Sequence, residues 1–130
     1  MMCVMAVRYG VIVNGQSYGL IFPGRGIRQG DPISLYLFLL CVEALSSMLI
    51  KANDEDILTG VPTLKRGLRI SHLFFADDSL LFCKASMSQW NSLSKILRIY
   101  KAASGQKLNN DKTTIFFSRN TQVDIKEAIL

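Results

Sequence analysis

Phe75-Ala76-Asp77-Asp78 sets two adjacent carboxylates between two apolar runs, Ile70-Ser71-His72-Leu73-Phe74 before them and Ser79-Leu80-Leu81-Phe82 after. Side-by-side carboxylates repel, and a hairpin turn in such a setting would favour Asn-Gly or Asp-Gly. A divalent cation removes the conflict, because Mg2+ takes hard oxygen ligands. Asp77 and Asp78 are therefore candidate metal ligands, in outline a site of the kind polymerases use. The competing explanation is an ordinary Asp-Asp turn, since Asp is common in turns and tolerates unusual backbone angles.

The elements that must hold this turn are legible around it. The two apolar runs predict a hairpin over 68–83 that meets at the acidic pair. An earlier hairpin is predicted from β-rich Tyr9 to Val13, the turn signal Asn14-Gly15, and a return over Gln16 to Phe22. A basic, flexible loop follows at Pro23-Gly24-Arg25-Gly26. Asp31-Pro32 then reads as a helix start, with Asp as cap and Pro at the first helical position. That helix is expected to run to about Lys51, apolar nearly all round and buried against a sheet. Asn53 to Gly67 reads as a loop. After the acidic hairpin, Ser86 with Gln89 forms a capping-box pattern. Trp90, Leu93, Leu97 and Tyr100 recur at helical spacing as a core face, and Gly105 stops the helix. A strand is expected over Thr113 to Ser118, and a further helix begins within Arg119 to Leu130. Helices over one face of an antiparallel sheet make an α+β fold, with 1–130 as one small domain.

Composition narrows the classes. About half the chain (49%) is hydrophobic, which excludes a disordered polypeptide. Fifteen basic residues against ten acidic give a net charge of +5, compatible with a polyanionic partner or with a solvated basic surface. Cys3, Cys41 and Cys83 are far apart and odd in number, which argues against a disulfide framework or a zinc site and for a reducing, intracellular location. His72 stands without His or Cys neighbours at ligand spacing, so a packed role is expected. The apolar run from Ile33 to Val42 stops at Glu43, short of the roughly 20 residues a membrane span needs. The N-terminus lacks the basic region of a signal peptide.

Three segments in order carry a resemblance. Arg25-Gly26-Ile27-Arg28-Gln29-Gly30-Asp31-Pro32-Ile33-Ser34 resembles the Gln-Gly-Asp-Pro segment of reverse transcriptases from non-LTR (LINE-type) retrotransposons. Phe75-Ala76-Asp77-Asp78 is similar to the aromatic-x-Asp-Asp motif of that family. Ser104-Gly105-Gln106-Lys107-Leu108-Asn109, with Lys112-Thr113 and Phe116-Phe117-Ser118, resembles the next family segment. The resemblance covers nearly the whole chain, and its details look most like plant elements. It implies part of the palm of a right-hand polymerase, acting as an RNA-directed DNA polymerase on an RNA template, a DNA primer and dNTP, with two Mg2+ ions. It implies no membrane and no obligate protein partner, and a place in the nucleus or cytoplasm.

Roles follow residue by residue from the resemblance. Asp77 is implied as a metal ligand and Asp78 as its acidic neighbour. Gln29 and Gly30 would lie near the template and incoming nucleotide, with Gly30 otherwise serving a tight turn. Arg28 would meet phosphate, or be solvated. Lys112 would donate a proton or stabilise charge on pyrophosphate, or be a surface lysine. Phe75 would support the primer end, or pack in the core.

The chain also departs from the family. The first catalytic segment of that family carries an Asp in a Phe/Tyr-Asp-like context ahead of the first hairpin. None of Asp31, Glu43, Asp54, Glu55 and Asp56 has that context. Leu35 stands where the family commonly has Pro. The fingers and thumb are not matched. The expectation is a palm fragment, inactive as an isolated chain. The alternative is a non-catalytic RNA-binding or maturase-like module on the same fold, and a third possibility is a plain structural α+β domain.

Overall fold

The computed structural model describes residues 8–22, 32–63, 67–106, 108–109 and 111–130. The loop at 23–26 and the segment bearing Arg28, Gln29, Gly30 and the Asp31 cap lie outside the described residues. The elements are β1 (Tyr9–Val13), β2 (Gln16–Ile21), α1 (Pro32–Asp54), β3 (Val61–Pro62), β4 (Arg69–Ile70), β5 (His72–Phe75), β6 (Asp78–Leu81), α2 (Met87–Ser104) and α3 (Val123–Ile129). The α+β expectation holds, with antiparallel pairing throughout the described strands. Among the described residues, however, the strands form three two-stranded sheets, β1-β2, β3-β4 and β5-β6, in place of one continuous sheet. The chain divides into two units, Met1–Phe38 and Leu39–Leu130.

The first unit contains the β1-β2 hairpin. Asn14 and Gly15 both have positive φ, 50° and 78°. Those are the angles a two-residue primed turn demands, and Asn-Gly supplies them at least strain. Val11 pairs with Tyr18 and Gly10 with Leu20, leaving Gly19 as the extra residue of a bulge. Gly19 has φ 69°, the left-handed region that glycine enters freely. The Arg8 guanidinium lies 5.5 Å from the Phe22 ring centre, in range for a cation–π contact.

Helix α1 begins at Pro32 as expected and runs past Lys51 to Asp54. Its end is a Schellman motif. Asp56 N–H donates to the Asn53 carbonyl (3.2 Å) and Ile57 N–H to the Ala52 carbonyl (2.9 Å). Asp56 takes the left-handed position, φ 56°, where glycine is usual, so no residue type marks the stop there. The expectation of burial nearly all round is overturned. Leu45, Leu49 and Ala52 are buried, one stripe at helical spacing, while Ile33, Leu35, Tyr36, Leu39 and Leu40 are exposed. At 23 residues α1 is long and apolar enough to cross a membrane by length and composition alone, although the run counted to Glu43 was too short.

The core of the second unit is Leu45, Leu49 and Ala52 of α1, Leu58 of the following loop and Leu93 of α2. Phe74, Leu81, Cys83, Ile96, Leu97 and Tyr100 pack against it half-buried. Helix α2 starts where the capping pattern places it. Ser86 is extended (φ −154°, ψ 149°) and its side chain accepts from Gln89 N–H. Gly105, φ 72°, closes the helix by donating to the Lys101 carbonyl. The loop expected over 53–67 contains β3, whose Val61 and Pro62 pair with Ile70 and Arg69. Gly60 permits that pairing, because a Cβ there would fall 2.4 Å from the Ile70 carbonyl oxygen.

The strand expected over Thr113 to Ser118 is not formed: the segment carries no regular structure. Its β-branched and aromatic residues suit a strand, but that preference depends on a neighbour to pair with. Its start is captured locally instead, since both Thr113 N–H (3.0 Å) and Thr113 Oγ1 (2.7 Å) donate to the Asn109 carbonyl. The final helix, α3, forms within the expected tail and packs against α2.

Candidate functional site

The acidic pair sits at the tip of the β5-β6 hairpin. The register pairs His72 with Leu81, Leu73 with Leu80, Phe74 with Ser79 and Phe75 with Asp78. Ala76 and Asp77 are thus the two loop residues, and Asp78 is the first residue of β6. Strand alternation sorts the side chains. His72, Phe74 and Leu81 form the half-buried inner face, and Phe74 and Leu81 pack on the core. Leu73, Phe75, Leu80 and Asp78 share the outer face, all of them exposed. Phe75, 83% exposed, is not a core residue, so the packing alternative considered for it is excluded.

Ala76 is held at φ 50°. An L-residue with a Cβ pays on the order of 1–3 kcal/mol to stay in that region, and such residues concentrate at functional turns. The turn therefore carries strain as well as two carboxylates. It persists because both bases of the hairpin are anchored. At the entry to β5, His72 Nε2 lies 2.9 Å from Ser46 Oγ of α1 and His72 Nδ1 lies 3.0 Å from Ser71 Oγ. The imidazole also leans on the Phe74 ring, centroids 4.8 Å apart. Burial pushes its pKa below the ordinary 6.5. At the exit from β6, Phe82 N–H donates to the Ser71 carbonyl at 2.8 Å. Gln89 completes the anchorage. Its Oε1 accepts from Thr59 N–H (2.9 Å) and Lys84 N–H (3.0 Å), and its Nε2 donates to Thr59 Oγ1 (2.8 Å).

His72 and Gln89 are the two supports that the sequence did not announce in full. His72 was expected to be packed, and it is, but its two serine partners lie on different segments. Gln89 holds the place of one half of a capping box. Its backbone does meet Ser86 Oγ (3.4 Å), while its side chain turns away to bind the two loops.

Asp77 and Asp78 are exposed, and among the described residues neither carboxylate is engaged in a hydrogen bond or ion pair. This donor set suits Mg2+, which keeps several waters and takes one or two carboxylates together with substrate phosphates. Among the described residues, no group of three or more His, Cys, Asp or Glu is gathered as a metal cluster. Lys112 is exposed in a turn, with its N–H donating to the Asn109 carbonyl at 3.1 Å. No ion pair joins it to Asp77 or Asp78. Arg28, Gln29 and Gly30 fall outside the described residues, so the structure brings together Phe75, Asp77 and Asp78 from the expected set.

An exposed aromatic residue thus stands beside two exposed carboxylates at the tip of a tight hairpin. The chain belongs to the reverse transcriptase (RNA-dependent DNA polymerase) family, whose model matches residues 2–126. Within that family its relatives include non-LTR retrotransposons. It is 36% identical over 108 residues to an uncharacterized mitochondrial protein of Arabidopsis thaliana, covering 82% of this chain and 86% of that one. It is 31% identical over 102 residues to the Pol polyprotein from the type-1 retrotransposable element R2 of Popillia japonica, covering 78% of this chain but 16% of the polyprotein. Against the Pol polyprotein of the type-2 element R2DM of Drosophila melanogaster it is 32% identical over 108 residues, 79% of this chain and 9% of that one. The chain thus spans most of the mitochondrial relative and a small part of the polyproteins. No solved structure matches.

Proposed function

We propose that this chain is part of the palm of an RNA-directed DNA polymerase from a plant-type non-LTR retrotransposon, and that Asp77 and Asp78 are its metal-holding carboxylates. The observation that carries the reading is the presentation of both carboxylates, exposed and without a partner among the described residues, at the tip of an anchored hairpin beside exposed Phe75. Asp77 and Asp78 would hold Mg2+ through hard oxygen ligands, with dNTP phosphates and water completing the shell. When bound there, Mg2+ would supply activation of a primer 3′-hydroxyl and charge stabilisation for the pyrophosphate leaving group. The other residues bind and orient. Phe75, on the same outer face as Asp78, offers a surface for the primer end. Arg28, Gln29 and Gly30 take the template and nucleotide side of the assignment, and Lys112 the pyrophosphate side. The reading carries with it a place inside the cell, in keeping with the odd number of widely spaced cysteines in the sequence.

Two carboxylates are a partial ligand set, and a firm grip on primer–template needs many phosphate contacts. The 130-residue chain alone is therefore proposed not to polymerise. Primer extension on an RNA template with Mg2+ tests this. The isolated chain should give no product, and a longer polymerase domain containing it should lose extension on Asp77→Asn. Robust extension by the isolated chain that disappears in Asp77→Asn contradicts the proposed inactivity. A longer domain indifferent to Asp77→Asn contradicts the site.

A second reading, a non-catalytic RNA-binding or maturase-like module, draws support from the net charge of +5. Salt-sensitive RNA binding that survives replacement of both Asp77 and Asp78 would favour it.

A further inference from the structure

We propose that His72 is a positioning residue for the acidic pair: through Ser46 and Ser71 its imidazole pins the base of the β5-β6 hairpin to helix α1, and so fixes how Asp77 and Asp78 are presented. The proposal rests on the metal-holding reading of that pair. Four observations carry it. His72 opens β5, the strand that leads to the acidic loop. Its Nε2 reaches Ser46 Oγ at 2.9 Å, on α1 beside the buried Leu45 and Leu49. Its Nδ1 reaches Ser71 Oγ at 3.0 Å, and Ser71 is itself buried, its carbonyl accepting from Phe82 N–H just past β6. Ala76 at φ 50° needs its surroundings to hold it, and a hairpin free at its base would relax.

A neutral imidazole presents one N–H donor and one acceptor, and a hydroxyl serves as either partner. The bridge is therefore complete with uncharged His72. Protonation turns both nitrogens into donors, which the two hydroxyls can still accept, but it places a charge in a half-buried site. The charged side chains on the elements that meet there are Glu43, Lys51 and Asp54 of α1, Arg69 of β4 and Asp78 of β6. None of them bonds to the imidazole, whose two nitrogens face hydroxyls. Burial lowers the folded pKa below 6.5, so between that value and 6.5 the unfolded chain binds the proton more readily. The stabilising contribution of the anchor is full above 6.5 and weakens as pH falls through the folded pKa.

Amide hydrogen exchange of β5-β6 and Mn2+ broadening of the Asp77 and Asp78 amides, both on the full chain, test the proposal between about pH 5 and pH 8. Two variants bracket it. Ser46→Ala keeps a good helix former and removes the far partner; His72→Gln keeps a hydrogen-bonding group and removes the titration. In Ser46→Ala, hairpin exchange at the upper end of that range should accelerate about tenfold, the scale of one lost hydrogen bond, and broadening should require more Mn2+. In His72→Gln, the acid-side loss of protection seen in the wild type should disappear. Unchanged exchange in Ser46→Ala, or an unchanged pH response in His72→Gln, overturns the anchor. Exchange responses as expected, with no Mn2+ effect at Asp77 and Asp78 in the wild type, contradict the metal reading and leave the anchor standing.

Discussion

The β1-β2 and β5-β6 hairpins have the same topology and opposite means of support. The first turns on Asn14-Gly15, residues that enter positive φ at little cost, and β2 is exposed along its whole length. Local turn chemistry and cross-strand pairing specify it. The second turns on Ala76-Asp77, a poor choice for a turn, with Ala76 at φ 50° and a second carboxylate following. It is held from outside, by Phe74 and Leu81 on the core, His72 on two serines and Gln89 on two loops. Such conflict between local preference and global structure is a recognised mark of functional sites.

The contrast can be broken at its strongest point first. Leu49 is 1% exposed in the core that braces the second hairpin. Leu49→Ala should cost about 2–5 kcal/mol and unprotect β5-β6 amides, while β1-β2 amides keep their wild-type exchange. Gln89→Ala should cost about 1–3 kcal/mol, because Thr59 and Lys84 N–H lose their acceptor. Its signature is accelerated exchange at those two amides, measured by NMR. In the first hairpin, Gly15→Ala puts a Cβ at φ 78° and should cost roughly 1 kcal/mol, read as faster exchange confined to β1-β2. The smallest effect has the opposite sign. Ala76→Gly relieves the left-handed strain, offset in part by the greater freedom of glycine in the unfolded chain. A net gain of a few tenths of a kcal/mol in chemical denaturation is expected, and a clear loss would show that Ala76 is not strained.

Much of this contrast was legible in the chain. Asn14-Gly15, Pro32, Ser86 and Gly105 each act through short-range backbone chemistry, and each does in the structure what its type implies. The acidic hairpin and the inward Leu93, Leu97 and Tyr100 were legible from periodicity. What escaped depended on partners distant in sequence. Val61-Pro62 becomes a strand because Arg69-Ile70 lies beside it, with Gly60 allowing the approach. Thr113 to Ser118 fails to become one because no strand pairs with it among the described residues. The α1 C-terminus was hidden because Asp56 fills a position glycine usually marks. At the site, residue types pointed to Asp77, Asp78 and Phe75, but not to Ser46, Ser71 and Gln89. Those are ordinary polar residues until the fold brings them to the hairpin base.

The most direct test of the central claim is a Mn2+ titration of the 15N-labelled full chain, followed by paramagnetic broadening at each backbone amide. The account expects broadening to begin at Ala76, Asp77, Asp78 and Ser79, and to vanish from that turn in the Asp77→Asn/Asp78→Asn double variant. Broadening that spares the turn, or that persists there in the double variant, would contradict the assignment of Asp77 and Asp78 as the metal-holding pair.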